Sequence, residues 1–75
     1  MAKILVVEDD DFFREAISDY LTSKKHEVTK APNGKVAREV MSVQSFDVVI
    51  TDIQMPELTG IELLEWSKIH KPTPF

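Results

Sequence analysis

The sequence contains no cysteine, which excludes a disulfide framework, a thiolate metal site and a thiol nucleophile. It also contains no apolar stretch near the roughly 20 residues that a helix needs to cross a bilayer. The first apolar run, residues 4–7, is too short for the core of a signal peptide, so we expect no signal peptide. Internal repeats, low-complexity tracts and linkers are lacking too. These absences predict a single cytoplasmic domain that does not contact a membrane.

The composition is typical of one small globular domain. With 75 residues, 43% of them hydrophobic and 29% charged, the chain is too apolar for a disordered segment. A chain of this size can bury only a marginal core. The formal net charge is −4 and the basic residues are scattered, which argues against a nucleic-acid or anionic-membrane surface.

Short apolar runs alternate with helical patterns along the chain. Residues 3–7 predict a central parallel strand, residues 26–31 a more polar edge strand, and residues 46–51 a third strand. A helix should follow each strand, the first one capped by Asp11 and the second one preceded by the turn at Pro32-Asn33-Gly34. The order βαβαβα predicts an α/β fold with a parallel sheet and right-handed crossovers.

The apolar side chains of each predicted helix recur at helical spacing. The expected inner faces are Phe13, Ile17, Tyr20 and Leu21 in the first helix, Val36, Ala37, Val40 and Met41 in the second, and Ile61, Leu63, Leu64, Trp66 and Ile69 in the third. We interpret Trp66 as a packing residue rather than a ligand platform.

Carboxylates follow two of the apolar runs. Glu8, Asp9 and Asp10 end the first predicted strand, and Asp52 ends the third. If these strands are parallel neighbours, their carboxyl ends lie side by side, where open α/β sheets bind ligands. Carboxylates crowded there would repel one another unless a divalent cation or a proton neutralised them. The pattern therefore predicts a small Mg²⁺ site with an aspartate beside it.

Three motifs resemble the receiver domain of bacterial two-component response regulators. They are Ile4-Leu5-Val6-Val7-Glu8-Asp9-Asp10, Asp52-Ile53-Gln54-Met55-Pro56 and Gly60-Ile61-Glu62-Leu63-Leu64. The resemblance covers the whole chain but only the N-terminal part of a typical receiver. It implies that residues 1–75 form one partial receiver domain, a truncated flavodoxin-like (βα)₃ parallel sheet. The implied strand order is 2-1-3, without the usual last two βα units.

The resemblance assigns a role to individual residues. It implies that Asp52 is the phosphoacceptor and, with Asp9 and the backbone carbonyl of Gln54, a direct Mg²⁺ ligand. Glu8 would reach the metal through water. The residues that would support the site are Asp10, Met55, Pro56 and Gly60. Such a sparse set of oxygen donors suits Mg²⁺, which takes few carboxylates together with waters and phosphate oxygens.

The implied function is phosphorelay signalling rather than an enzymatic activity. A sensor histidine kinase or a phosphotransfer protein would donate the phosphoryl group to Asp52, with Mg²⁺ neutralising its oxygens. A receiver also needs a Ser or Thr after its fourth strand and a Lys after its fifth. Both would lie beyond Phe75, so we expect impaired phosphotransfer. The alternative is a half-receiver that binds metal or dimerises without phosphotransfer.

An enzyme of the haloacid-dehalogenase type would also use a strand-end aspartate and Mg²⁺. Asp9, Asp10 and Asp11 could supply its aspartates, but Glu8 interrupts the strand end. That interpretation leaves the Asp52 motif unexplained, so the receiver interpretation is favoured.

The third predicted strand should have an unpaired edge, because its fourth-strand neighbour is not expected within the chain. Residues 46–51 contain no Lys or Pro, the residues that commonly prevent an edge strand from pairing. The first strand should also lack the cover of a last helix on one face. We therefore expect a homodimer through the open sheet edge, or a larger assembly, rather than a folded monomer.

Overall fold

The computed structural model describes residues 1–51, 62, 64–66 and 74. Its elements are β1 (Lys3–Val7), α1 (Asp11–Ser23), β2 (Glu27–Ala31), α2 (Gly34–Val43) and β3 (Val48–Thr51). Glu62 and residues 64–66 are helical as well. The predicted alternation of strands and helices is confirmed, although β2 and β3 begin later than expected. Among the described residues, no helix is both long and apolar enough to cross a membrane.

The three strands form a parallel sheet in the order β2-β1-β3, as predicted. The central strand is β1, whose residues 4–7 are all buried. The edge strand β2 carries exposed and half-buried residues before the buried Ala31. A run that is apolar on both faces therefore predicted the central position correctly, because only a central strand between two helical layers buries both faces.

One hydrophobic core lies between the sheet and α2. Its buried side chains are Leu5, Val7, Ala31, Ala37, Met41, Phe46 and Val49. Val36, Val40 and Trp66 pack against this cluster and are partly buried. The predicted inner face of α2 is thus confirmed, and Trp66 is a packing residue as expected.

On the other side of the sheet, α1 packs over β1 and β2 with a face that matches the predicted one only in part. Ile17 and Leu21 are half-buried as expected. Phe13 and Tyr20 are 57% and 61% exposed, although both were expected to pack. The inner face is formed by Arg14, Ile17, Ser18 and Leu21, which are buried or half-buried.

This inner face of α1 has the i, i+3, i+4, i+7 spacing of a helical stripe. Two of its members are polar, which is why the apolar pattern alone missed it. The buried Ser18 hydroxyl donates to the Arg14 carbonyl at 2.7 Å, so its polar atom has a partner inside the helix.

The expectation that β1 lacks cover on one face is wrong. Ile4 and Val6 on the α1 side of the sheet are 4% and 0% exposed, because α1 lies over them. An exposed apolar residue on this side of the sheet is on the neighbouring strand β3: Ile50, the register partner of Val6, is 38% exposed.

The outer edge of β3 has a partner at one position. The Val49 N–H donates to the Pro74 carbonyl at 2.7 Å, so a described residue from the end of the chain lies beside this strand. The prediction that the outer edge of the third strand is unpaired is therefore wrong at Val49.

The C-terminus of α1 closes with two backbone hydrogen bonds. The Lys25 N–H donates to the Thr22 carbonyl at 2.9 Å, and the His26 N–H donates to the Leu21 carbonyl at 3.2 Å. Lys25 has a φ of 69°, in the left-handed region. These bonds form a Schellman motif, which usually has glycine at the position of Lys25.

Candidate functional site

The carboxyl ends of β1 and β3 lie side by side. Val7 and Thr51 are partners in the parallel register, and they immediately precede Glu8 and Asp52 in the sequence. The prediction that these strands are parallel neighbours is confirmed. Other predicted site residues lie outside the described part of the chain, and their roles stay predictions: Asp52, Gln54, Met55, Pro56 and Gly60.

The loop between β1 and α1 is held by hydrogen bonds that Glu8 makes. The Glu8 N–H donates to the Ala31 carbonyl at 3.1 Å, which continues the pairing of β1 with β2. A Glu8 carboxylate oxygen accepts the Asp10 N–H at 3.1 Å. These bonds restrain the backbone of the loop where it leaves β1.

Asp10 caps the helix that follows. Its backbone is extended and its Oδ1 accepts the Phe13 N–H at 3.0 Å. The N-cap is thus Asp10, and the prediction of Asp11 is wrong by one residue. Asp11 is the first helical residue, where a carboxylate also interacts favourably with the helix dipole.

Asp9 is an exposed carboxylate of this loop, as is Asp10. Within the described residues, no hydrogen bond or ion pair involves its side chain. Glu8 and Asp10, in contrast, each use a carboxylate oxygen to accept a backbone N–H, from Asp10 in the loop and from Phe13 in α1 respectively. Asp9 is therefore the member of the acidic group that is best placed to bind a cation directly.

A guanidinium lies beside the same loop. Arg14 Nη1 donates to the Glu8 backbone carbonyl at 3.0 Å, and its Nη2 pairs with the Asp11 carboxylate. The Arg14 side chain is 15% exposed and that of Asp11 is 88% exposed. Sequence reasoning missed Arg14; the available signal was its i, i+3 spacing from Asp11 within a predicted helix.

The donor chemistry of the described loop fits Mg²⁺. Mg²⁺ prefers oxygen ligands and is usually held by one or two carboxylates, and Asp9 and Glu8 supply such oxygens at the end of β1. Residues 1–51 with 62, 64–66 and 74 contain no cluster of three His, Cys, Asp or Glu residues that could hold a metal. The expected ligand set also includes Asp52 and Gln54, which lie outside these residues.

The first turn of α1 presents an exposed aromatic pair next to the acidic loop. Phe12 and Phe13 have ring centroids 5.7 Å apart with an interplanar angle of 77°, an edge-to-face arrangement. Both rings are exposed, so the expectation that one of them packs in the core is wrong.

Comparison with known proteins supports the fold. Residues 4–74 match the family model of the response regulator receiver domain. The chain is 41% identical over 71 residues to the response regulator protein FleR of Pseudomonas aeruginosa, covering 95% of this chain and 15% of FleR. It is 40% identical over 70 residues to the 3',5'-cyclic-nucleotide phosphodiesterase regA of Dictyostelium discoideum, covering 91% of this chain and 9% of regA.

A solved structure shows the same architecture. The chemotaxis response regulator CheY4 of Vibrio cholerae superimposes with a TM-score of 0.89 at 35% identity, covering 92% of this chain and 57% of CheY4. The chain thus spans a little over half of that receiver and a small part of the two curated relatives. Receiver domains are generally signalling modules rather than enzymes, and they work in two-component phosphorelays. By its strand order, its strand-end register and these matches, the chain belongs to the response regulator receiver domain family.

Proposed function

We propose that this chain is a phosphoacceptor module, in which Asp52 takes a phosphoryl group from a sensor histidine kinase or a phosphotransfer protein. The observation that carries the proposal is the register of the sheet. Val7 and Thr51 are paired, and the carboxylates of Glu8, Asp9 and Asp52 follow them directly in the sequence. In open α/β sheets this edge is the ligand-binding edge.

The proposed reaction is an in-line displacement at phosphorus. A carboxylate oxygen of Asp52 attacks the phosphorus of the phosphohistidine as the P–N bond breaks, and the imidazole leaves with the electron pair and takes a proton from solvent. The product is an acyl phosphate on Asp52. Asp52 acts here as a phosphoacceptor that must be reset before another cycle, not as an enzyme.

The metal ligands we propose are Asp9, Asp52 and the backbone carbonyl of Gln54, with Glu8 bound through water. Bound Mg²⁺ would neutralise charge on the phosphoryl oxygens. Asp9 suits direct ligation because its exposed carboxylate is not engaged within the described part of the chain. Glu8 suits an outer position because one of its oxygens already accepts the Asp10 N–H. Asp10 supports the loop as a helix cap.

We further infer that residues 1–75 form one partial receiver domain that works in the cytoplasm. Taken by themselves, these residues span 57% of the CheY4 receiver, and we propose that they accept phosphate less efficiently than that longer domain.

The phosphoacceptor is tested by incubating the chain with Mg²⁺ and a small phosphodonor such as phosphoramidate. Acid-labile phosphate should appear in the wild type and disappear in Asp52→Asn. Asp10→Asn is the matched control, since asparagine also caps helices and most of the label should persist. Persistent labelling of Asp52→Asn would overturn the assignment. A wild type that binds Mg²⁺ without taking up phosphate would favour a metal-binding half-receiver instead.

We also propose a homodimer through the outer edge of β3. The support is Ile50, which is 38% exposed on the α1 side of the sheet, beyond the strands β1 and β2 that α1 packs over. Because the Val49 N–H already pairs with the Pro74 carbonyl, a partner strand would have to replace that bond. Edge-to-edge pairing across a two-fold axis would cover this apolar surface.

Sedimentation at micromolar concentration tests the dimer. The wild type should sediment as a dimer and Ile50→Lys as a monomer. Val43→Lys changes an exposed valine at the end of α2 and should leave the dimer intact. A compact wild-type monomer, or equal effects of the two substitutions, would rule out this interface.

A further inference from the structure

We propose that Arg14 is a positioning residue for the metal site, because its guanidinium holds the backbone of the loop that presents Glu8 and Asp9. This inference rests on the proposed Mg²⁺-dependent function. It adds a described residue that the sequence motifs did not include.

The contacts of Arg14 link the helix to the loop. Its backbone N–H donates to the Asp10 carbonyl at 2.9 Å, and its own carbonyl accepts the Ser18 hydroxyl at 2.7 Å. From the first turn of α1, Nη1 donates to the Glu8 carbonyl at 3.0 Å. A guanidinium is a planar, permanently charged group with a fixed fork of donors, so it can hold two acceptors at once.

The two peptide groups that flank the Glu8 Cα are therefore both hydrogen-bonded. Its N–H donates to the Ala31 carbonyl on β2, and its carbonyl accepts from Arg14 on α1. The Glu8 carbonyl belongs to the peptide group that joins Glu8 to Asp9. By bonding to this carbonyl, Arg14 restrains the backbone that positions the Asp9 carboxylate. A side chain only 15% exposed can do this with little competition from water.

The charge arrangement leaves Asp9 available. Residues 8–11 are four consecutive acidic residues, and Arg14 forms its ion pair with Asp11. In the described structure the guanidinium therefore neutralises a carboxylate of the helix and does not occupy the one we assign to Mg²⁺. The two nitrogens have separable roles: Nη1 positions the Glu8 backbone, and Nη2 neutralises the charge of Asp11.

Removing the guanidinium should loosen the loop and weaken the metal site. Arg14→Met places an apolar side chain in the inner face of α1 but removes the hydrogen bond to Glu8 and the ion pair with Asp11. We expect the amides of residues 8–10 to exchange faster in the metal-free chain, and Mg²⁺ affinity to fall by roughly tenfold, as for other residues that orient metal ligands. Asp11→Asn removes only the exposed ion pair, so it should stay within about twofold of the wild type.

Two control variants separate positioning from general stability and from charge. Ser18→Ala removes a neighbouring hydrogen bond of the same inner face. Lys30→Met removes the pair between Lys30 and Glu15, whose side chains are 44% and 51% exposed. Neither should change loop exchange or Mg²⁺ affinity, even where it lowers the unfolding temperature.

Hydrogen exchange followed by NMR and Mg²⁺ titration of the amide shifts supply the two measurements on the full chain. Unchanged exchange at residues 8–10 in Arg14→Met would overturn the positioning role whatever the metal does. So would a loss of Mg²⁺ affinity in Ser18→Ala equal to that in Arg14→Met. A wild type that binds no Mg²⁺ would instead overturn the proposed function, and with it the metal part of this inference.

Discussion

Two loops in the described part of the chain, after β1 and after β2, lead from a strand into a helix; each ends in a side-chain helix cap, but they differ in charge. Asp10 begins α1 and accepts the Phe13 N–H at 3.0 Å, and Asn33 begins α2 and accepts the Val36 N–H at 2.8 Å. Both cap residues have extended backbone, and each bonds to the residue three positions on. This capping geometry satisfies one of the backbone donors that every helix start leaves unpaired.

The loops lie next to each other at one edge of the sheet, since Val7 pairs with Ala31. Around its cap, the first loop has the carboxylates of Glu8, Asp9 and Asp11. The second has the uncharged sequence Pro32-Asn33-Gly34. Folding accounts for most of the carboxylates of the first loop, since Glu8 and Asp10 accept backbone N–H groups and Asp11 pairs with Arg14. Asp9 makes no such bond among the described residues, which agrees with the proposed cation binding at this loop.

The largest expected difference between the loops is in metal affinity. Asp9→Ala should weaken Mg²⁺ binding at least tenfold, because it removes the proposed direct carboxylate ligand. Asn33→Ala changes the cap of the neutral loop and should leave Mg²⁺ binding unchanged. Titration of amide shifts measures both. Wild-type affinity in Asp9→Ala would show that the metal binds elsewhere.

The two helix caps should make similar contributions to the free energy of unfolding. Asp10→Ala and Asn33→Ala should each lower the free energy of unfolding by about 1 kcal/mol, since each removes one side-chain acceptor from a helix start. Serine at either position should restore most of that loss. Urea unfolding measures all four variants. A loss at one site with none at the other would contradict the shared capping role.

The smallest effect concerns the other end of α1. The left-handed backbone of Lys25 costs a non-glycine residue roughly 1–2 kcal/mol, and the extra freedom of glycine in the unfolded chain offsets roughly 0.5–1 kcal/mol of that. Lys25→Gly should therefore raise the free energy of unfolding by about 0.5 kcal/mol. Lys24, whose φ is −90°, provides the matched control, and Lys24→Gly should destabilise. Stabilisation by both changes would rule out a backbone origin.

Hydropathy patterns predicted the sheet well and one helix face poorly. The apolar residues of β1 and the i, i+4 spacing of Ala37 and Met41 correctly indicated a central strand and a buried helix face. In α1, apolar spacing selected Phe13 and Tyr20, whereas the structure buries Ser18 and half-buries Arg14. Polar side chains can face a sheet when helix and loop carbonyls accept their hydrogen bonds, and hydropathy does not register such partners.

The same limit applies to the candidate site. The strand-end positions of Glu8 and Asp9 followed from the sequence, but the choice between Asp10 and Asp11 as helix cap did not. Four consecutive acidic residues offer several caps of similar quality. The observed bond from the Phe13 N–H to Asp10 selects one of them and shows which carboxylates are already engaged.

By itself, the sequence determined the order of strands and helices and the central strand, because these follow from the periodicity of apolar residues along the chain. It also placed Glu8 and Asp9 directly after the first strand. The tertiary structure decided which face of α1 turns inward, which carboxylate caps it and how Arg14 reaches the Glu8 carbonyl. It also decided that the edge of β3 meets Pro74. These features depend on where backbone carbonyls and amides from different segments meet, and such positions exist only after the chain has packed.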